Sequence, residues 1–243
     1  MPLGAAAGWQ WRHLREVAST QDVAIAAGQG GEPAPLVVTA DRQTAGRGRG
    51  GRAWQAPSGN LNFSALLRPG PITLQAASWS LLAGVAVHSA VAVHMPDASG
   101  LMLKWPNDLL LGGAKLAGVL IDTALTPSGL IDWVVIGVGV NIAHAPALPD
   151  RPTACLADAG IKLAPETLAA TLTGRLDHWL EAGPQAVRTA WLTRAHPVGA
   201  TLRVRQGDRM IEGEFAGLAD DGSLLLISAA GATSIVSGDV FLG

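Results

Sequence analysis

Four arginines and four glycines crowd the segment Asp41-Arg42-Gln43-Thr44-Ala45-Gly46-Arg47-Gly48-Arg49-Gly50-Gly51-Arg52-Ala53-Trp54. Guanidinium forks, with the backbone N–H groups of a glycine-rich turn, suit recognition of phosphate or carboxylate. With almost no apolar content the segment cannot build a core, and its glycines make any single shape costly. Three readings stand open: a flexible solvated loop, an Arg-Gly segment for RNA, and a loop that orders around an anion. The formal net charge of the chain is −2. The positive charge is therefore local, which favours a small charged ligand over a nucleic-acid surface. No Lys-Ser/Thr pair follows the glycines, so this is not a Walker A loop.

Other segments carry polar groups of interest. Lys104-Trp105-Pro106-Asn107-Asp108 ends a strand in a bend, with Asn and Asp where Asx turns place them. Lys115 follows across Gly112-Gly113, flanked by Ala114, Leu116, Ala117, Val119 and Leu120. A lysine on such a strand needs an anion. Asp108, Asp122 or a bound ligand could supply it. Gly137-Val138-Gly139-Val140-Asn141 shares glycine spacing with a dinucleotide fingerprint, but no further glycine opens a helix. It reads as a strand whose backbone closely approaches a ligand, with Asn141 able to pair with a base or an amide. Ser19-Thr20-Gln21 reads first as a helix cap. The six histidines show no metal-ligand spacing, and Cys155, the single cysteine, has no assignable histidine partner.

These groups need a scaffold. The chain has 243 residues, 49% of them hydrophobic, enough for one large domain with a small appendage. Strands are predicted over residues 8–17, 36–40, 61–67, 101–104, 109–111, 115–122 and 133–140. Helices are predicted over 21–27, 73–94, 165–180 and 186–195. Beyond His196-Pro197 only short strands follow, over 202–205, 210–216, 223–227 and 233–236, the pattern of a small β-barrel. The expected division is therefore a mixed α/β domain over 1–195 and an all-β domain over 196–243. Residues 1–8 lack the pattern of a signal peptide. The longest apolar stretch, 76–93, is interrupted by serines and His88, as in a buried helix rather than a membrane span. One cysteine and no targeting pattern point to a reducing, cytoplasmic setting.

The run from Gln43 to Arg49 with Arg52 and Trp54, then Lys104 to Asp108, then Lys115-Leu116-Ala117-Gly118-Val119-Leu120, then Gly137 to Ile142, resembles the biotin–protein ligases. These enzymes attach biotin to acetyl-CoA carboxylase. The resemblance spans about Ser19 to Ile142, and the terminal strands resemble the family's SH3-like domain. It implies an α/β (α+β) mixed-sheet catalytic domain of the biotin/lipoate ligase type followed by a small SH3-like β-barrel. It implies that biotin and ATP form biotinyl-5′-AMP, and that a lysine of the biotin carboxyl carrier domain then takes the biotin. Lys115 would bridge the biotin carboxylate and the α-phosphate, with Arg47 and Arg49 on a lid. Ser19, Thr20, Gln21, Gln43, Gly46, Gly48, Trp54 and Gly118 would complete the biotin pocket. Arg52, Trp105, Asn107 and Asn141 would serve the nucleotide, and Asp108 the carrier lysine or the ion. Mg²⁺ would arrive with ATP, bound through phosphates and water. Three departures stand out: Gln21 where the family usually has Asn, Gly50 where a basic residue is common, and no arginine after Gly238-Asp239-Val240. No helix-turn-helix pattern precedes Ser19, so DNA is not an expected partner. Family members occur as monomers and dimers, which makes a homodimer one expectation.

Overall fold

The computed structural model describes residues 8–70, 76–149, 151–229 and 231–242. The reading of residues 1–7 and the proposed helix start at Thr73 to Gln75 lie outside them. The chain alternates as β1 (Gln10–Val17), α1 (Thr20–Gln29), β2 (Leu36–Gln43), β3 (Leu61–Leu67), α2 (Ala76–Ala92), β4 (Leu101–Lys104), β5 (Asp108–Leu111), β6 (Ala114–Leu125), β7 (Ile131–Val140) and α3 (Pro165–Leu192). The strands form one seven-stranded sheet in the order β1-β2-β3-β7-β6-β5-β4. Only β1 and β2 run parallel; the remaining neighbours are antiparallel.

Both faces of this sheet are covered, which explains why its central strands read as unbroken apolar runs. Successive side chains point to opposite faces. Val37, Val134 and Ile136 join the large core under α2 and α3. Leu36, Val38, Trp133 and Val135 join a smaller core with Ala24 and Ala27 of α1. Strand β2 runs three residues past the predicted Ala40, because β1 pairs with it as far as Val17↔Gln43. That extension carries Gln43 to the end of the sheet. The two predicted C-terminal helices are both present as the two arms of α3, separated by a break at Gly183, whose φ of 82° and ψ of 171° leave helical space just before Pro184.

Beyond α3, β8 (Thr201–Gln206), β9 (Arg209–Leu218), β10 (Leu224–Ser228), β11 (Gly231–Ile235) and β12 (Asp239–Leu242) form a five-stranded antiparallel sheet. Its order is β11-β10-β9-β8-β12, and among the described residues no ladder joins β12 back to β11. β12 is an addition to the four strands expected. This sheet packs onto the first unit without a gap. Leu202, Phe215, Leu226 and Val240 belong to the same apolar core as α2 and α3. His196, Trp191 and Phe215 form a triangle of rings, with the Trp191 and Phe215 centroids 6.2 and 4.5 Å from that of His196.

Candidate functional site

A cleft of about 280 Å³ opens where α1, the ends of β2 and β3, the middle of β6 and β7, and β12 converge. One end is neutral and hydrogen-bonded throughout. Ser19 caps α1, its hydroxyl accepting from the Gln21 N–H at 3.2 Å. Thr20 donates through its backbone N–H to Gln43 Oε1 at 2.7 Å, and its hydroxyl lies 3.0 Å from the same oxygen. Gln43 Nε2 donates to Asn62 Oδ1 at 3.0 Å, and Asn62 Nδ2 to the Ala40 carbonyl at 3.2 Å. Ser64 donates to Gln21 Oε1 at 3.1 Å. This row is buried and internally paired, so its geometry is set by the fold before any ligand arrives.

The other end is charged. Lys115 Nζ donates to Asp108 Oδ1 at 2.5 Å, and the two side chains are 15% and 10% exposed. Of the anions left open by the sequence, Asp108 is the one that holds Lys115; Asp122 is engaged elsewhere. The ammonium also lies 5.7 Å from the centre of the Trp54 ring. Arg151 approaches Asp108 Oδ2 at 3.9 Å. Lys104 lines the same end, and burial pushes its pKa below the ordinary lysine value, against the pull of Asp108.

The arginine loop folds back over the cleft as a short hairpin. Arg47 bridges to Ala53, Gly48 N–H donates to the Arg52 carbonyl at 2.7 Å, and Gly50 and Gly51 adopt φ of 68° and 75°. Gly46 admits no side chain, since a Cβ would lie 2.4 Å from the Trp54 carbonyl oxygen. Arg47 donates to Asp22 at 2.6 Å. That bond raises its pKa, burial opposes it, and Asp122 adds to the increase. Arg49 donates to Asp239 Oδ1 at 2.7 Å and to the Gly238 carbonyl at 2.6 Å, and Arg52 donates to Asp239 at 3.0 Å. Arg205 reaches the same carboxylate at 3.4 Å. Burial works against the Asp239 carboxylate, but Arg52, Arg49 and Arg205 outweigh it and hold its pKa below the usual range.

Several residues sit differently from expectation. Gly137 and Gly139 line the cleft, and each also leaves room for a protein side chain. A Cβ on Gly137 would lie 2.3 Å from Gln21 Oε1, and one on Gly139 would lie 2.2 Å from the Trp54 ring. Gly118, paired with Gly139, forms the rest of the floor under Trp54; a Cβ there would lie 3.3 Å from its ring. Asn141 is not brought to the cleft. It is 1% exposed, and its Nδ2 is spent on the carbonyls of Ala154 and Lys115 at 3.1 and 3.4 Å. It ties the backbone of Lys115 to that of Ala154. Trp105 lines the cleft but is buried, donating to the Gly222 carbonyl at 3.1 Å. Asn107 also lines it, with Nδ2 tied to the Val119 carbonyl at 2.6 Å.

The described chain matches the family model "Biotin/lipoate A/B protein ligase family" over residues 15–141 and "Biotin protein ligase C terminal domain" over residues 199–243. The chain belongs to the biotin/lipoate ligase family. Among curated relatives, the biotin–[acetyl-CoA-carboxylase] ligase of Paracoccus denitrificans is 36% identical, over 85% of this chain and 90% of the relative. That of Mycobacterium tuberculosis is also 36% identical, over 98% of this chain and 91% of the relative. A biotin protein ligase from Aquifex aeolicus in complex with biotin and ATP superposes with a TM-score of 0.79 at 26% identity, covering 96% of this chain and 98% of the other.

For this ligase-family chain, the C-terminal sheet supplies one wall of the cleft through Asp239, Val240 and Phe241. Reading the sequence missed Asp239, Arg151, Lys104 and Ser64 as cleft residues. Asp239 and Arg151 lie far along the chain from the groups they meet, and no spacing links them. Among the described residues, no group of three or more His, Cys, Asp or Glu side chains could hold a metal ion. No helix among them is long and apolar enough to cross a membrane.

Proposed function

We propose that the chain is a biotin–protein ligase. It activates biotin with ATP to biotinyl-5′-AMP and transfers the biotin to a lysine of the biotin carboxyl carrier domain of acetyl-CoA carboxylase. The observation that carries the reading is the junction in the cleft. A neutral, prearranged polar row meets a buried lysine at Asp108, beneath a loop of three arginines.

Activation brings a carboxylate against a polyphosphate, so fixed positive charge must stand where both meet. In the proposed assignment Ser19, Thr20, Gln21 and Gln43 hold the ring end of biotin, with Trp54, Gly46, Gly48 and Gly118 shaping the pocket. The carboxylate oxygen attacks the α-phosphorus, the bond to the β-phosphate bridging oxygen breaks, and pyrophosphate leaves. Lys115 lies between the two anions, and Asp108 holds its place in the free protein. Arg47, Arg49 and Arg52 close over the product and shield the anhydride from water. In the second step the carrier amine attacks the acyl carbon, the amide forms and AMP departs. Asp108 is the nearest group to receive the proton that the amine loses. Asn107 and Trp105 act as supports of the β4–β5 turn.

Mg²⁺ would enter with ATP. The carboxylates lining the cleft, Asp108 and Asp239, are both paired with cations. They leave the phosphates and water as the ion's ligands. The division into a catalytic unit over 1–195 and a C-terminal unit over 196–243, a cytoplasmic setting, and carrier recognition without DNA or membrane belong to the same reading, as does a homodimer. The test is incubation with biotin, Mg-ATP and a carrier domain, followed by mass spectrometry of the carrier. A biotin adduct on one lysine is expected. An adduct with lipoate in place of biotin, and none with biotin, would move the chain to the other branch of its family.

A further inference from the structure

Asp122, on β6, lines no part of the cleft and takes no part in the chemistry above, yet it touches both halves of the site. Its Oδ2 accepts from Gln21 Nε2 at 2.9 Å. Its Oδ1 lies 3.9 Å from the Arg47 guanidinium. The side chain is 30% exposed, so it is not needed to fill the core.

An ionised carboxylate only accepts, and an amide has one accepting and one donating end. Asp122 therefore draws the Gln21 nitrogen toward β6, and the Val135 carbonyl of neighbouring β7 is a second, longer acceptor for it at 3.3 Å. That leaves Gln21 Oε1 as the acceptor facing Ser64, so the Ser64 hydroxyl proton is committed to Gln21. The Ser64 oxygen, 2.9 Å from the Thr20 hydroxyl, is then left to accept. At the far end, the Thr20 N–H fixes Gln43 Oε1 as acceptor, and the Ala40 carbonyl fixes Asn62 Nδ2 as donor. The row is thus anchored at both ends by groups that only accept, and between them only the Thr20 hydroxyl proton keeps two acceptors, Gln43 Oε1 and the Ser64 oxygen. A cyclic urea presents N–H donors and a carbonyl acceptor. A row that could reverse its protons would meet some of those groups like against like.

We infer that Asp122 is a positioning residue for the acid substrate. It sets the proton direction of the polar row through Gln21, and it draws Arg47 of the loop over the same pocket. Gln21 is long enough to reach it because Gly137 carries no side chain. The inference rests on the ligase reading above.

The test measures pyrophosphate release with varied biotin and varied Mg-ATP, for the parent, D122N, D122S and D122E, each first checked for parent-like melting. The neutral variants should raise KM for biotin about tenfold, while KM for ATP stays within about twofold. D122E, still an acceptor-only anion, should stay within about threefold of the parent. A KM for biotin within twofold of the parent in both neutral variants overturns the inference. So does an equal rise for ATP, or loss of folding in both neutral variants, which would make Asp122 a structural residue. If the parent itself releases no pyrophosphate with biotin, the ligase reading fails first.

Discussion

At the neutral end of the cleft, Thr20, Gln43, Asn62 and Ser64 spend their polar atoms on one another and on the backbone. At the charged end, Lys115, Arg49 and Arg52 spend theirs on Asp108 and Asp239, carboxylates that an anionic substrate could replace. The first arrangement fixes shape and hydrogen-bond direction. The second holds cations in reserve: Lys115, largely buried, would be costly without an anion, whereas the arginines reach solvent. The difference separates recognition from chemistry: truncation at the neutral end should weaken binding, and truncation at the charged end should slow reaction.

The sharpest way to break this contrast is Lys115→Ala. Adenylate formation should fall by about 10³-fold, the scale for losing a fixed charge at a developing anion. Biotin affinity should change by less than about tenfold, since the polar row is intact. Pyrophosphate release and equilibrium dialysis with labelled biotin measure the two separately. Parent-like release would remove Lys115 from the chemistry altogether.

Gly139→Ala probes the wall between the ends. Its Cβ would lie 2.2 Å from the Trp54 ring, whereas a Cβ at Gly118 would lie 3.3 Å from that ring. Overpacking of this kind costs about 1–3 kcal/mol, so kcat/KM for adenylation should fall about 10- to 100-fold in G139A. G118A should lose less. Equal losses would mean that Trp54 is not held by the glycine pair.

Parts of this site were open to sequence reading because their partners are close along the chain. Lys115 and Asp108 face each other across a hairpin whose turn glycines, Gly112 and Gly113, adopt φ of 57° and 82°. The strands Leu61–Leu67 and Leu101–Lys104 follow directly from their apolar pattern and turn residues. The side chains that use the space at Gly137 and Gly139, those of Gln21 and Trp54, were not legible because they come from other elements. The backbone partners of Asn141 were hidden for the same reason: Lys115 and Ala154 meet only when the segment around Thr153 lies beside β6. Asp239 was unreadable as a cleft residue, since its arginines arrive from the other sheet and from β8.

The seam between the two sheets offers a test of stability by pH. Burial lowers the His196 pKa to about 4, with Lys104 adding to it, and burial with Arg194 does the same for His88. A histidine depressed on folding takes up its proton first in the unfolded state. The stability it confers is complete above about pH 6.5 and is lost as pH falls toward 4. Each should cost on the order of 2–3 kcal/mol over that span. His196→Phe should remove about half of the fall in urea midpoint between pH 7 and pH 5, the rest belonging to His88, while an unchanged slope would place the titration elsewhere.

The smallest effect separates the two ends most directly. Asp239→Asn removes the anion shared by Arg49, Arg52 and Arg205, but all four side chains reach solvent. Partly exposed pairs contribute roughly 0.2–1 kcal/mol each and lose part of that to screening, so urea unfolding at pH 7 should shift by about 1 kcal/mol or less. Ser64→Ala, at the neutral end, leaves buried Gln21 Oε1 without its donor and should cost about 1–3 kcal/mol. What D239N changes is the loop: trypsin should cut after Arg49 or Arg52 several-fold faster in the free protein. With biotin and Mg-ATP present, a bound phosphate should take the place of the lost carboxylate and restore protection. If protection stays lost with both substrates present, Asp239 holds the closed loop itself, and the two ends of the cleft are built alike.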